Sequence, residues 1–183
     1  MPDRVTNMLT KLIVIGACSL CTALLAGCID SKDPILGGAQ PTLGKRLSLQ
    51  LYTLRDGHAS GSERARFVWD GRRYKQAGGG MKDVASFTLH PFEGGDSIVQ
   101  SISTRHPEHT EYALMHPLAD GVYLVHAIDE EDAGAAVRAH CKHPGGTACR
   151  IETREQLFAF ARATAARKTN GGGLAIRLKD KQP

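Results

Sequence analysis

The densest group of metal-binding side chains in this 183-residue chain is His140-Cys141-Lys142-His143, with Cys149 downstream. Two imidazoles and two thiols are a donor set for tetrahedral zinc, but the spacing lacks the close Cys-x2-Cys pair of such sites. A second group is spread along the middle of the chain: His90, His116 and His126, with Trp69 and Arg72. Imidazoles that titrate near neutral pH, an indole and a guanidinium form a possible ligand surface. The plainer alternative makes the histidines polar positions on half-exposed strands. His106-Pro107-Glu108-His109 adds two imidazoles in what reads as a loop. Arg64, Arg66, Arg72 and Arg73 flank Trp69, as an anion-binding face or as a solvated one.

Patterns for catalysis fail on spacing. Gly78-Gly79-Gly80-Met81-Lys82 lacks the glycine, lysine and hydroxyl order of a phosphate loop. In Gly57-His58-Ala59-Ser60-Gly61 the serine stands one place too late for a nucleophile elbow. Asp129-Glu130-Glu131-Asp132 offers carboxylates, but acids at a helix start suit the macrodipole and are ordinarily solvated. No catalytic residue, metal site or cofactor is expected, and the chain reads as non-enzymatic.

The elements that must position these side chains are mostly strands. Arg46–Leu54 alternates Leu47, Leu49 and Leu51 with Ser48, Gln50 and Tyr52, the pattern of a half-buried strand. Asp70-Gly71 and Asp120-Gly121 each stand between strand-like runs and signal hairpins. Val84–His90 and Ser97–Ser103 are further strand candidates. Phe87–Ile102 and Ala113–Ile128 align without gaps, sharing His90/His116, Pro91/Pro117, Gly95/Gly121, Val99/Val125 and Ile102/Ile128. Either one hairpin was duplicated, or two antiparallel hairpins resemble each other by chance. Asp129–His140 then reads as a helix. Thr153 and Gln156 have capping-box spacing, opening a second helix with Leu157, Phe160, Ala161 and Thr164 as its apolar stripe. Leu174–Leu178 returns as a strand. The expected class is α+β: an antiparallel β-meander, as a curled sheet or partial barrel, followed by two helices and a short C-terminal strand.

The N-terminus supplies an address. Arg4 and Lys11 precede an uncharged run, Leu12–Ile29, that contains Leu25-Ala26-Gly27-Cys28. A basic start, an apolar stretch and small residues describe a secretory signal. With a cysteine after the small pair, residues 25–28 resemble the lipobox of bacterial lipoproteins. The resemblance implies that the signal, residues 1–27, is cut before Cys28, and that Cys28 becomes an acylated, palmitate-bearing N-terminus. A retained transmembrane helix or an ordinary cleaved signal is the alternative. The run is near the lower limit for spanning a bilayer and is interrupted by Gly16, Ser19, Thr22 and Gly27. The residue after the cysteine is Ile29 rather than Asp, which within the family favours the outer membrane over the inner.

On this resemblance, Cys18 and Cys21 leave with the signal and Cys28 is lipidated. Cys141 and Cys149 remain, a single pair in an oxidising compartment, expected as a disulfide. Residues 28–44, rich in proline and glycine, read as a flexible tether, and residues 45–180 as one globular domain. A formal charge of +4 is too small a bias to argue for nucleic acid. The expected function is that of a membrane-anchored envelope lipoprotein at the periplasmic face of the outer membrane, binding a protein or glycan partner. A small-ligand or metal carrier with a cavity inside the sheet is one alternative. An enzyme whose site the linear sequence hides is another.

Overall fold

The computed structural model describes residues 29–55, 57–79, 83–142, 149–167 and 172–179. In chain order the elements are β1 (Ile29–Ser31), β2 (Arg46–Arg55), β3 (His58–Trp69), β4 (Tyr74–Gly79), β5 (Val84–Pro91), β6 (Ser97–Ser103), β7 (Thr110–Ala119) and β8 (Val122–Ala127). A single helical turn α1 (Ala135–Arg138), β9 (Cys149–Arg150), helix α2 (Arg154–Ala166) and β10 (Gly172–Leu178) follow. The last strand pairs antiparallel with both β2 and β8. With β6 on β7, strands β2 to β8 and β10 close into an eight-stranded antiparallel barrel.

The architecture is therefore mostly β, with one substantial helix, and corrects the expected α+β meander followed by two helices. Two physical reasons account for the difference. The run expected as a helix over Asp129–His140 breaks at Gly134, whose backbone is extended. Before it, the Asp129 carboxylate accepts from the Glu131 N–H and closes a 3-10 turn, Glu130–Asp132, in place of an α-helical start. Second, the C-terminal strand is seven residues long and seals the barrel between the first and next-to-last strands, a pairing distant in sequence. Helix α2 follows its sequence signals. Thr153 and Gln156 form a complete capping box, and Leu157, Phe160, Ala161 and Thr164 are its buried residues.

Inside the barrel, inward positions of successive strands interdigitate. Leu47 and Leu49 of β2, Ala65 and Phe67 of β3, Tyr74 of β4, Phe87 and Leu89 of β5 and Met115 of β7 form one buried cluster. Phe87 stacks on Tyr74 with ring centroids 4.9 Å apart and meets Phe67 edge-on at 4.9 Å. An eight-stranded barrel is just wide enough to be filled by side chains, and this one is filled across its middle. A second cluster lies outside the wall. Ile98, Tyr112 and Leu114, the opposite-facing residues of β6 and β7, pack beneath Leu157, Phe160 and Ala161 of α2, with Ile29, Ile128 and Ile151. Thus both faces of β6 and β7 contribute to apolar clusters, and α2 covers the outer one.

The stretch expected as a tether, residues 28–44, contributes β1 and two buried leucines, Leu36 and Leu43. Within the barrel the two similar hairpins share one register. His90 pairs with Ile98 as His116 pairs with Leu124, and Leu89 with Val99 as Met115 with Val125. Only the turns differ: a 3-10 turn over Glu93–Gly95 in the first, Asp120-Gly121 in the second.

Candidate functional site

The residues expected as a ligand surface fall on different faces. Trp69 packs against the interior cluster, its ring 5.1 Å from Tyr74. Arg72 lies exposed in the β3–β4 turn, where its N–H donates to Asp70 Oδ1 at 2.9 Å. His90 is buried, with Nε2 2.9 Å from Thr88 Oγ1. Burial, and then the Arg154 charge, hold its pKa below the usual imidazole value. His116 is exposed and its Nδ1 lies 2.6 Å from Asp96 Oδ1. On β8, His126 stands opposite Leu114, whereas His116 stands opposite Leu124, so the two imidazoles are offset along the hairpin.

Cys141 and Cys149 are joined in a disulfide, as expected. Glu130 places a carboxylate within 4.8 Å of both sulfurs, but sulfurs bonded to each other are not thiolate ligands. His143 and Cys28 lie outside the described residues.

A concentration of positive charge arises from barrel closure. β2 is entered through Lys45 and begins at Arg46; β10 reaches Arg177 and Leu178 and is followed by Lys179. Because Arg177 pairs with Leu49 and Leu178 with Ser48, these two basic ends meet at one mouth of the barrel, beside the Asp120-Gly121 turn. They line an open recess of about 610 Å³ with Gly44, Lys45, Arg46, Asp120, Gly121, Arg177, Leu178 and Lys179. Four cations face one carboxylate there. Among the described residues none of the four forms an ion pair.

The floor of this mouth is rigid. The turn over residues 40–44 is closed by Thr42 and Gly44 N–H bonds to Gln40 and Pro41 carbonyls, each 2.9 Å. Tyr74, fully buried, pins it: the Leu43 N–H donates to its hydroxyl at 3.0 Å, and the hydroxyl donates to the Gly44 carbonyl at 2.9 Å. Burial pushes the Tyr74 pKa up, so the hydroxyl keeps the proton it donates. On the other side, the Arg177 N–H donates to the Gly121 carbonyl at 2.7 Å. Gly121 has φ +73°, and a Cβ there would sit 3.4 Å from the Arg177 Cβ, so glycine is what lets this turn close on β10.

A second recess, of about 580 Å³, runs under residues 34–39. Gln100 holds that strap by accepting from the Leu36 N–H at 2.9 Å and donating to the Leu36 carbonyl at 3.1 Å. Arg72, Arg73, Lys75 and Asp70 rim it. Here, in contrast to the mouth, Lys75 is paired with Asp70 at 2.9 Å. That pair, with the Arg73 and Arg72 N–H bonds, holds the Asp70 carboxyl well below the usual carboxylate range.

The chain matches no family model, no curated protein and no solved structure. Guanidinium and ammonium groups around an open recess bind carboxylates or phosphates through charge-assisted hydrogen bonds. Sequence reasoning passed over Lys45, Arg46, Arg177 and Lys179. Their signal was basic residues flanking the first and last long strands, which becomes a cluster only once those strands are known to be neighbours.

Proposed function

We propose that this chain is a lipid-anchored envelope protein whose barrel is a non-catalytic binding module, and that its cationic mouth receives an acidic surface of a protein or glycan partner. The observation that carries the reading is the set of four cations at the mouth facing, among the described residues, one carboxylate. Lysine and arginine side chains stay protonated near neutral pH, so this lining offers fixed charge rather than proton transfer. The lipobox-like residues Leu25–Cys28 support acylation at Cys28 and placement on the periplasmic face of the outer membrane. The filled barrel interior weighs against a carrier that encloses its ligand. Phe67 and Tyr74 are almost wholly buried, and Phe87 nearly so, in the space such a ligand would take.

In-cell crosslinking of the full chain tests the reading. A partner should be captured by the native protein, less so as ionic strength rises. It should be lost when Lys45→Glu, Arg46→Glu, Arg177→Glu and Lys179→Glu are combined. Equal capture by both proteins would remove the mouth from the account.

A further inference from the structure

We infer that the lipid anchor holds the barrel directly against the bilayer, in one orientation, with the disulfide-bearing flank toward the lipid and the cationic mouth turned away. This rests on the reading of Cys28 as the acylated residue. The decisive observation is Ile29, the very next residue, which has no exposed surface and belongs to the outer core cluster. Its N–H donates to the Ile128 carbonyl at 3.1 Å. β1 is held on both sides, antiparallel to β7 and parallel to β9. Asp30 binds Arg150 through both carboxylate oxygens, at 3.0 and 3.1 Å, and its carbonyl accepts from the Ile151 N–H at 2.8 Å. The Ser31 hydroxyl lies 2.7 Å from the Tyr112 hydroxyl.

Magnitudes separate a seat from a leash. A flexible linker as long as residues 28–44 would let the domain wander about 20–25 Å from its anchor. A seat at Ile29 leaves a single peptide link, about 3.8 Å between consecutive Cα atoms, between the packed strand and the acylated residue. The acyl chains therefore leave the protein beside Ile128 and Cys149, the immediate neighbours of Ile29. Among the described residues, α1 and the disulfide contribute surface near that point. Ala135, Ala136, Arg138, Ala139 and Lys142 are exposed there, while Val137 and Cys141 pack onto the same cluster as Ile29. Short alanine side chains let that surface approach the headgroups closely, and Arg138 carries charge that anionic headgroups attract, while Lys142 is paired with Glu152. The mouth lies well away. Tyr112 accepts the Ile128 N–H, and the Asp120-Gly121 turn comes eight residues further along β7 and its end, roughly 26 Å at strand rise.

The test uses the acylated full chain in vesicles of phosphatidylethanolamine and phosphatidylglycerol containing a headgroup-attached quencher. A fluorescent amino acid replaces Arg138 in one variant and the exposed Leu118, near the mouth, in another. The seated orientation gives several-fold stronger quenching at position 138 than at 118. A long Gly/Ser spacer inserted between Cys28 and Ile29 should erase that difference. Equal quenching at both positions in the native-length chain overturns the seating while leaving the anchor intact. Acylation is read separately, from the mass of the N-terminal peptide and from release of a Cys28→Ala variant into the aqueous phase. An unacylated Cys28 overturns the anchored reading and the seating together.

Discussion

On the flank of the barrel, four cations are held by anions. Arg150 is held by Asp30, Arg162 of α2 by Glu93 at 2.7 Å, Arg167 by Asp132, and Lys142 by Glu152 at 2.7 Å. Three of these pairs tie one segment to another: β9 to β1, α2 to the β5–β6 turn, and the end of α2 to the 3-10 turn after β8; the fourth spans the ends of the disulfide loop. At the mouth, Lys45, Arg46, Arg177 and Lys179 share one acid among the described residues, Asp120. The same residue types thus do two jobs. Flank charges fix the accessory elements on the outer wall, where an apolar cluster supplies the main adhesion. Mouth charges make no ion pair among the described residues, and neighbouring cations repel one another, which an acidic partner would relieve. Variants that separate the two regions should then separate stability from binding.

The largest effect is expected from the flank core. Phe160→Ala removes a fully buried ring from beneath α2 and should lower unfolding free energy by about 3–5 kcal/mol in urea titration. A loss below about 1 kcal/mol would mean that α2 is not part of the barrel's cooperative unit. Next is the disulfide. Replacing both Cys141 and Cys149 with serine opens a loop of sequence separation 8 and should cost about 2.5 kcal/mol by the chain-entropy estimate. Mass spectrometry before and after reduction checks the bond itself, which predicts a gain of two hydrogens.

Asp30→Asn comes third. It removes the charge-assisted pair with Arg150, and the expected loss is about 1–3 kcal/mol. If unfolding is unchanged, the Asp30 pair does not hold β1, and the fixed seat beside Cys28 loses its support.

Local order was legible from the sequence where it is set by near neighbours. The alternation in Arg46–Leu54, the Asp-Gly turns and the Thr153/Gln156 cap all involve residues a few positions apart, and each stands in the structure. Closure was not legible, because β2 and β10 are separated by most of the domain and nothing in either strand names its partner. That single pairing turns a meander into a barrel, and it also creates the mouth. The histidines drew attention by residue type, yet His90 faces the helix-covered wall and His116 is engaged by Asp96. The Asp129–Asp132 acids matched a helix start, but a side-chain turn and an extended Gly134 prevailed.

A smaller, pH-dependent effect distinguishes the buried histidine from the exposed one. The folded-state pKa of His90 is depressed, so the unfolded chain binds its proton more readily. The stability His90 contributes is present above its unfolded pKa of about 6.5 and is lost as pH falls below it, at a slope of at most about 1.4 kcal/mol per pH unit. His90→Gln, which can still bond Thr88, should flatten the pH dependence between about pH 7 and 5. Glu111 works in the opposite sense. Burial raises its carboxyl pKa, so its protonation favours the fold as pH falls, and the difference between variant and native protein isolates His90. An unchanged slope in the variant would show that His90 is not the group that titrates.

The smallest expected change in stability is at the mouth, and it decides the comparison. Arg177→Ala with Lys179→Ala removes two exposed cations that make no ion pair among the described residues. Unfolding free energy should move by no more than about 0.5 kcal/mol. Partial relief of repulsion with Lys45 and Arg46 gives any shift a stabilising sign. Partner capture by the same protein should fall sharply, and the salt dependence of what remains should weaken, because fewer charges steer the encounter. A mouth variant that unfolds more easily would mean that these cations belong with those of the flank. Unchanged stability with unchanged capture would leave the cations without a role in binding and return the search to the rim formed by Arg72 and Arg73.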